Sequence, residues 1–337
     1  MLEIIDPGPQ TSVQDVGRQG TIVLGIPPSG AQDAFSLRAG NLLVGNPTGG
    51  PLLLRRDPGA AGLEILLGGF KARALADLVV AITGAQVGVT VDGVTVPQWR
   101  AFLLRKESVL ALGMSKAGAR AYLAVHGGVE VPPYLGSRAT HMRGQFGGLE
   151  GRTLRKGDRL PIGAAQADPG ALIGRRLAPK HIPTLAQPWR VRVVAGPEED
   201  IFTSESVDAF YATEWKLNPK SDRTGMRFIG PALSFKPGRP RYLIDDAGQD
   251  PSNITIDPGA PVGTIQVPSG VEPIVLGVDS PTIGGYARIA TVITTDMGAV
   301  GQARPFERVR FARTAYDDAV AAIRAQDAVI AESSVLG

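Results

Sequence analysis

Apolar residues come in short runs that stop at glycine or proline along most of this chain, the spacing of β-strands joined by tight turns. Runs at 1–5, 63–70, 78–83, 87–91, 94–97, 102–105, 109–112 and 121–125 predict strands in the first half. Asp92-Gly93, between two of them, is a two-residue hairpin signal. Thr83-Gly84-Ala85 reads as a bend that ends its strand, and as a candidate rim position. One stretch of this half has a helical period: Phe35, Leu37, Leu42 and Leu43 share a side, with Asp33 placed as N-cap and Gly45-Asn46-Pro47 as the stop. Strands return at 189–194, 226–229, 263–268, 273–278 and 289–294, with a helix at 204–213. A last helix is capped by Thr314 with Asp317 and carries Ala319, Ala322, Ile323 and Val329. Residues 164–188 are rich in Ala, Pro and Gly without a period and read as a connection. The second half echoes the order of the first: opening strand, Gly-Pro stop, helix, polar loop, strand. The expectation is a mainly β chain of two related barrels, residues 1–165 and 189–337, joined by a linker at 166–188.

Composition supports strands and turns, because Gly 43 and Pro 27 together make 70 of 337 residues. A hydrophobic content of 43% with 20% charged residues suits a globular chain with a sizeable core. The absence of cysteine removes thiol nucleophiles, disulfides and thiolate metal sites, and cytoplasmic location is the simplest consistent expectation. Glu3 and Asp6 interrupt an N-terminus too polar for a signal peptide, and no apolar run is long enough to span a bilayer, so no membrane partner is expected. The net charge is only +3 and the arginines are scattered singly, which argues against a nucleic-acid partner.

Chemistry concentrates in polar loops. Gln14, Asp15 and Arg18 stand in a glycine-flanked segment, residues 11–18, without strand or helix period. Asp15 and Arg18 either pair with each other to order the loop or face a ligand. Ser29 and Gly30 precede the helix that Asp33 caps, where a hydroxyl and backbone N–H groups favour an anionic ligand. Ser137, Arg138 and Thr140 follow Gly136, and a second glycine cluster at Gly147-Gly148 and Gly151 leads into a Lys-Gly-Asp turn. Asp279, Thr282, Gly284, Gly285 and Tyr286 lie in a loop between apolar strands, near Gln266. There the alternative is a structural turn in which Asp279 satisfies the Tyr286 hydroxyl. His126, His141 and His181 are too scattered for a metal cluster, and His126 reads as a packed strand-end residue. The phosphate-loop, zinc-protease and serine-hydrolase motifs are absent.

The strings TSVQDVGRQG, GIPPSGAQDAFSLRAGNLLVGNP, RAYLAVHGGVEVPPYLGSRAT, GGLEGRTLRKGDRLPIG and GTIQVPSGVEPIVLGVDSPTIGGYARIATVI resemble one family, and they run from about residue 11 to 295. It is the carboxyltransferase-type family of allophanate hydrolase subunit 2-like proteins, the C-type subunits of 5-oxoprolinase and the carboxyltransferase domain of urea carboxylase. SDRTGMR and the segment after Asp296 depart from its usual pattern. The resemblance implies two cyclophilin-like β-barrels and a small amide or ureido substrate. Its leading implication is an ATP-dependent 5-oxoprolinase that opens 5-oxoproline to glutamate. This chain would then be active only with a smaller allophanate hydrolase subunit 1-like partner and a third subunit, and ATP with magnesium would be held mainly by or with a partner. One alternative is a biotin-dependent carboxyltransferase acting on urea or a related amide. Another is a non-catalytic antagonist of a kinase inhibitor. An amide needs acceptors for its N–H and donors for charge building on its oxygen. Asp15, Asp33 and Asp279 are the expected acceptors and catalytic groups. Gln14, Arg18, Ser29, Gly30, Arg138, Thr140, Gln266, Thr282, Gly284, Gly285 and Tyr286 are the expected binding groups, all predicted to meet at one cleft.

Overall fold

The computed structural model describes residues 1–52, 57–165, 167–238 and 261–337. The strands of the first half are β1 (Leu2–Pro7), β2 (Gln10–Gln14), β3 (Gly62–Leu66), β4 (Phe70–Ala74), β5 (Leu78–Gln86), β6 (Val89–Val91), β7 (Val94–Thr95), β8 (Ala101–Leu104), β9 (Val109–Leu112), β10 (Ala117–Val125), β11 (Arg159–Leu160) and β12 (Arg176–Leu177). Then come β13 (Trp189–Ala195), β14 (Trp215–Leu217), β15 (Gly225–Ile229), β16 (Thr264–Gln266), β17 (Ile274–Leu276), β18 (Arg288–Val292), β19 (Arg308–Arg313) and β20 (Val335–Leu336). Helices are α1 (Ala34–Leu43), α2 (Pro169–Leu172), α3 (Ser204–Ala212), α4 (Met297–Gln302) and α5 (Tyr316–Val329). The chain is mainly β with few helices, and its architecture is the expected cyclophilin-like β fold. It divides into two units, one made of Met1–Gln19, Ser29–Leu185 and Arg324–Gly337, the other of Gly20–Pro28 and Ala186–Ile323.

In the first unit a six-stranded sheet, β11-β1-β4-β9-β6-β7, and a five-stranded sheet, β2-β3-β10-β5-β8, share one core. Side chains alternate across a strand, so β10 sends Ala121, Leu123 and Val125 into that core, with Leu2, Ile4, Leu63, Ile65, Val80, Ile82 and Leu110. Its other face, Tyr122 and Ala124, packs under α1 with Leu37, Phe35, Ala39 and Leu43. Burial on both faces explains the unbroken apolar runs of β5 and β10. Asp33 caps α1 as expected, its carboxylate accepting from the Ser36 N–H at 3.1 Å. The Asp92-Gly93 turn joins β6 to β7, both residues at positive φ.

Four local expectations change. The 63–70 run is two strands, β3 and β4, separated by a turn at Leu67–Gly69 in which Leu67 has φ 57°. Residues 11–14 belong to strand β2, because the polar Thr11, Ser12 and Gln14 are all buried and a hydropathy period cannot show there. Thr83-Gly84-Ala85 continues β5 to Gln86 rather than ending it. The Gln98 side chain holds the strand's exit, accepting from Val87 N–H at 3.0 Å and donating to Ala85 C=O at 2.9 Å. Within residues 164–188, α2 and β12 are regular elements, Leu172 and Leu177 are buried, and β12 pairs with β20.

The second unit is a closed seven-stranded barrel in the order β13-β18-β16-β17-β15-β14-β19, the parallel pair β13 and β19 completing the ring. Phe210 from α3 stacks on Phe311 at 5.0 Å, and Phe228 meets the same ring edge-on at 5.4 Å. Closure removes the open edges that an isolated sheet of this length leaves.

Candidate functional site

In the first unit three segments carry the expected residues: 12–18 from β2 and its exit, 29–33 before α1, and 134–148 after β10. The Ala31 N–H donates to the Asp15 C=O at 2.9 Å, which lays the second segment along the first. Gly30, at φ 93°, makes this approach possible, since a Cβ there would lie 2.7 Å from the Gly17 nitrogen and 2.8 Å from the Val16 carbonyl carbon. The Thr140 N–H and hydroxyl both donate to the Val13 C=O, at 3.0 and 2.9 Å, tying the third segment to β2.

Asp15 is buried and saturated by donors. It accepts from the Gly17 N–H at 2.8 Å and the Arg138 N–H at 2.6 Å, and the Ser137 hydroxyl lies 2.7 and 2.9 Å from its two oxygens. Burial pushes its carboxyl above the ordinary 3.8. The Ser137, Arg138 and Gly17 hydrogen bonds and the nearby Arg18 charge oppose that shift without cancelling it. Arg18 therefore acts on Asp15 as a charge and spends its own donors elsewhere. Its Nε donates to the Tyr134 C=O at 3.2 Å and Nη2 to the Ala139 C=O. The guanidinium lies against the contacting Tyr134 and Phe146 rings, 5.9 and 4.9 Å from their centroids. Gly147 permits this closure, because a Cβ there would sit 2.4 Å from Arg18 Nη2.

The other residues of this group divide by whether their polar atoms are committed. Asp33 gives one oxygen to the Ser36 N–H and the other to the Ser36 hydroxyl at 2.6 Å. Arg138 donates to the Val131 C=O at 2.9 Å and to Glu130 at 2.6 Å. Gln14 uses its Nε2 on Ser12 Oγ at 3.0 Å and on the Thr140 C=O at 3.2 Å, but its Oε1 is buried with no partner among the described residues. Ser29 Oγ is in the same condition. So are both polar atoms of the Gln32 side chain, which is only 2% exposed. Sequence reasoning missed Gln32, and it missed Glu64 and Tyr122, whose side chains lie beneath it. The available signal was a carboxylate and a phenol at alternate positions inside otherwise apolar strands, GLEIL and AYLAV.

In the second unit, Asp279 is paired with buried Arg223, whose Nε donates at 2.7 Å and Nη2 at 3.3 Å. The Asp279 N–H returns to the Arg223 C=O at 3.1 Å. Asp279 is thus held by Arg223, and Tyr286 is 41% exposed. Thr282 is buried beside Gly25, while Gly284 and Gly285 are half-buried. On β16, Gln266 Nε2 and Thr264 Oγ1 are buried without a partner among the described residues. His126 is a packed strand-end residue, its Nδ1 2.7 Å from the Val44 C=O. No three His, Cys, Asp or Glu residues gather to hold a metal among the described residues, and no described helix is long and apolar enough to cross a membrane.

The chemistry open to these loops is recognition of a neutral polar group. A buried donor or acceptor left without a partner costs about 1–3 kcal/mol, so groups such as Gln14 Oε1, Ser29 Oγ and the Gln32 carboxamide ordinarily meet a bound water or another molecule's hydrogen bonds.

Comparison with known proteins gives a consistent result. A family model described as the carboxyltransferase domain, subdomain A and B, matches residues 24–313. The chain is 36% identical to the C-type subunit of Escherichia coli 5-oxoprolinase over 323 residues, 96% of this chain and 94% of that protein. It is 34% identical to Saccharomyces cerevisiae urea amidolyase over 98% of its own length but spans only 17% of that protein, and 18% of the Lachancea kluyveri one. The crystal structure of Kluyveromyces lactis urea carboxylase superposes with a TM-score of 0.85 at 31% identity, covering 99% of this chain and 30% of that one.

Proposed function

This chain belongs to the carboxyltransferase family of A and B subdomains, and on that premise we propose that it is a subunit of an ATP-dependent 5-oxoprolinase opening 5-oxoproline to glutamate. It acts with a smaller allophanate hydrolase subunit 1-like partner and a third subunit. The observation that carries the reading is the set of unpartnered buried groups around Gln14, Ser29 and Gln32. A carboxamide offers one donor and one acceptor side by side, the complement of a lactam's C=O and N–H. The Gln32 side chain has both unused, and Gln14 Oε1 and Ser29 Oγ add an acceptor and a hydroxyl. Asp15, whose carboxyl burial makes easier to protonate than usual, is the group we assign to proton transfer. Asp33 and Asp279, expected in that role too, fix the loops on which the binding groups stand.

Resonance makes a lactam a poor electrophile, and bound ATP supplies the phosphoryl activation that overcomes it. We assign ATP and magnesium to a site provided mainly by the partner subunits, in keeping with a sequence that lacks a phosphate-binding loop. A second reading, a biotin-dependent carboxyltransferase acting on urea, draws on the urea amidolyase and urea carboxylase relatives. One experiment separates them. The complex reconstituted with its neighbouring subunits is expected to hydrolyse ATP when 5-oxoproline is added, unaffected by avidin, while the isolated chain turns over nothing. Avidin-sensitive, bicarbonate-dependent carboxylation of urea overturns the first reading in favour of the second. Robust turnover by the chain alone contradicts the proposed need for partners.

A further inference from the structure

The α1-facing side of the five-stranded sheet carries four polar side chains at one register. Ser12 lies opposite Glu64, Glu64 opposite Tyr122, and Tyr122 opposite Thr83, across β2, β3, β10 and β5. All four are buried. A sheet covered on both faces ordinarily fills such positions with Val, Ile or Leu, and a buried carboxylate carries a desolvation penalty. Three of these groups are spent on the segments that hold the unpartnered amides, and the fourth, Thr83, on the first turn of α1. Ser12 Oγ accepts from Gln14 Nε2 at 3.0 Å. Glu64 Oε2 accepts from the Gln32 N–H and from the Tyr122 hydroxyl, both at 2.8 Å. That hydroxyl accepts in turn from the Asp33 N–H at 2.8 Å, and Thr83 Oγ1 donates to the Ser36 C=O at 2.6 Å. Arg120 Nε stands 3.5 Å from Glu64 Oε1 and balances its charge. Burial and the Glu64 and Asp33 charges raise the Tyr122 pKa well above the ordinary phenol value, so the proton given to Glu64 stays in place.

We propose that this row, centred on Glu64 and Tyr122, positions the amide-binding segment: it fixes the backbone of Gln32 and Asp33 and so the direction in which the Gln32 carboxamide and Ser29 hydroxyl point. Glu64 and Tyr122 are positioning residues, acting through the segment above them. The consequence for substrate rests on the amide-hydrolysis reading, whereas the consequence for the backbone does not.

Tyr122→Phe in the full chain tests both parts. Losing one buried hydrogen bond worth about 1.4 kcal/mol corresponds to roughly a tenfold change. Amide hydrogen exchange is expected to be about tenfold faster at Asp33 N–H, with protection across the α1 interior retained as proof of folding. In the reconstituted complex, Tyr122→Phe is expected to raise KM for 5-oxoproline about tenfold with kcat nearly unchanged. Asp33 exchange that stays slow in Tyr122→Phe overturns the positioning role, and fast exchange with an unchanged KM overturns its link to substrate. If the parent complex fails to act on 5-oxoproline, the amide-hydrolysis reading falls by itself and the exchange rates still decide the backbone claim.

Discussion

Two buried aspartates, Asp15 in one unit and Asp279 in the other, are held in opposite ways. Asp15 sits among neutral donors, a hydroxyl and two backbone N–H groups, and burial leaves its carboxyl easier to protonate than usual. Asp279 is locked by a guanidinium on both oxygens. Neutral donors orient a carboxylate without cancelling its basicity, so Asp15 remains able to take and return a proton. A bidentate arginine uses the charge itself, and the pair serves mainly to join two loops. Both residues are aspartates in loops that follow a strand, β2 and β17. The difference in role comes from the partner each fold supplies.

The sharpest way to break the comparison is to remove each carboxylate. Asp279→Ala leaves Arg223 buried and uncompensated and is expected to lower stability by about 3–5 kcal/mol. Urea unfolding monitored at Trp189 and Trp215 of the same unit reports the loss. A change below about 1 kcal/mol means the pair is not structural.

Much of the scaffold behind this contrast was legible. The apolar runs of β5, β9 and β10, the Asp92-Gly93 hairpin and the Asp33 cap each follow from local chemistry. Strand β2 was not legible, because its buried faces are lined by Thr11, Ser12 and Gln14 and hydropathy treats those as loop residues. Nor was the turn inside residues 63–70, where Leu67 takes a left-handed conformation in an apolar run. The site was visible as a set of polar loops but not as a set of partners. Ser137 meets Asp15 across 122 positions, and Arg223 meets Asp279 across 56. Separations of that size are fixed by sheet pairing and leave no spacing signal.

Asp15→Asn sharpens the other side and should act less strongly. It replaces an acceptor by an amide that offers one oxygen to three donors, with an expected loss of about 1–3 kcal/mol. Its pH dependence carries the diagnostic sign. The folded-state pKa of Asp15 lies above the unfolded value of 3.8, so the native state binds the proton more tightly. The associated stability is fully present below 3.8 and is lost as pH rises through the raised folded value. The parent protein should therefore show a fall in its urea midpoint across that interval which Asp15→Asn lacks. Matching slopes in the two proteins mean that Asp15 titrates normally.

The smallest effect on stability, together with a clear loss of function, is expected at Gln32. Its carboxamide is buried with neither polar atom partnered among the described residues, so its removal breaks no hydrogen bond to them. Gln32→Met keeps the length and removes an unsatisfied polar group. Melting temperature and 5-oxoproline turnover of the reconstituted complex, measured together for this variant, test the central claim most directly. The expected result is a melting temperature equal to or above the parent's with turnover reduced at least tenfold, a loss of about 1.4 kcal/mol in transition-state binding. A fall in melting temperature with turnover retained would show that Gln32 serves the fold, and would contradict the claim that the unpartnered amides are kept for substrate.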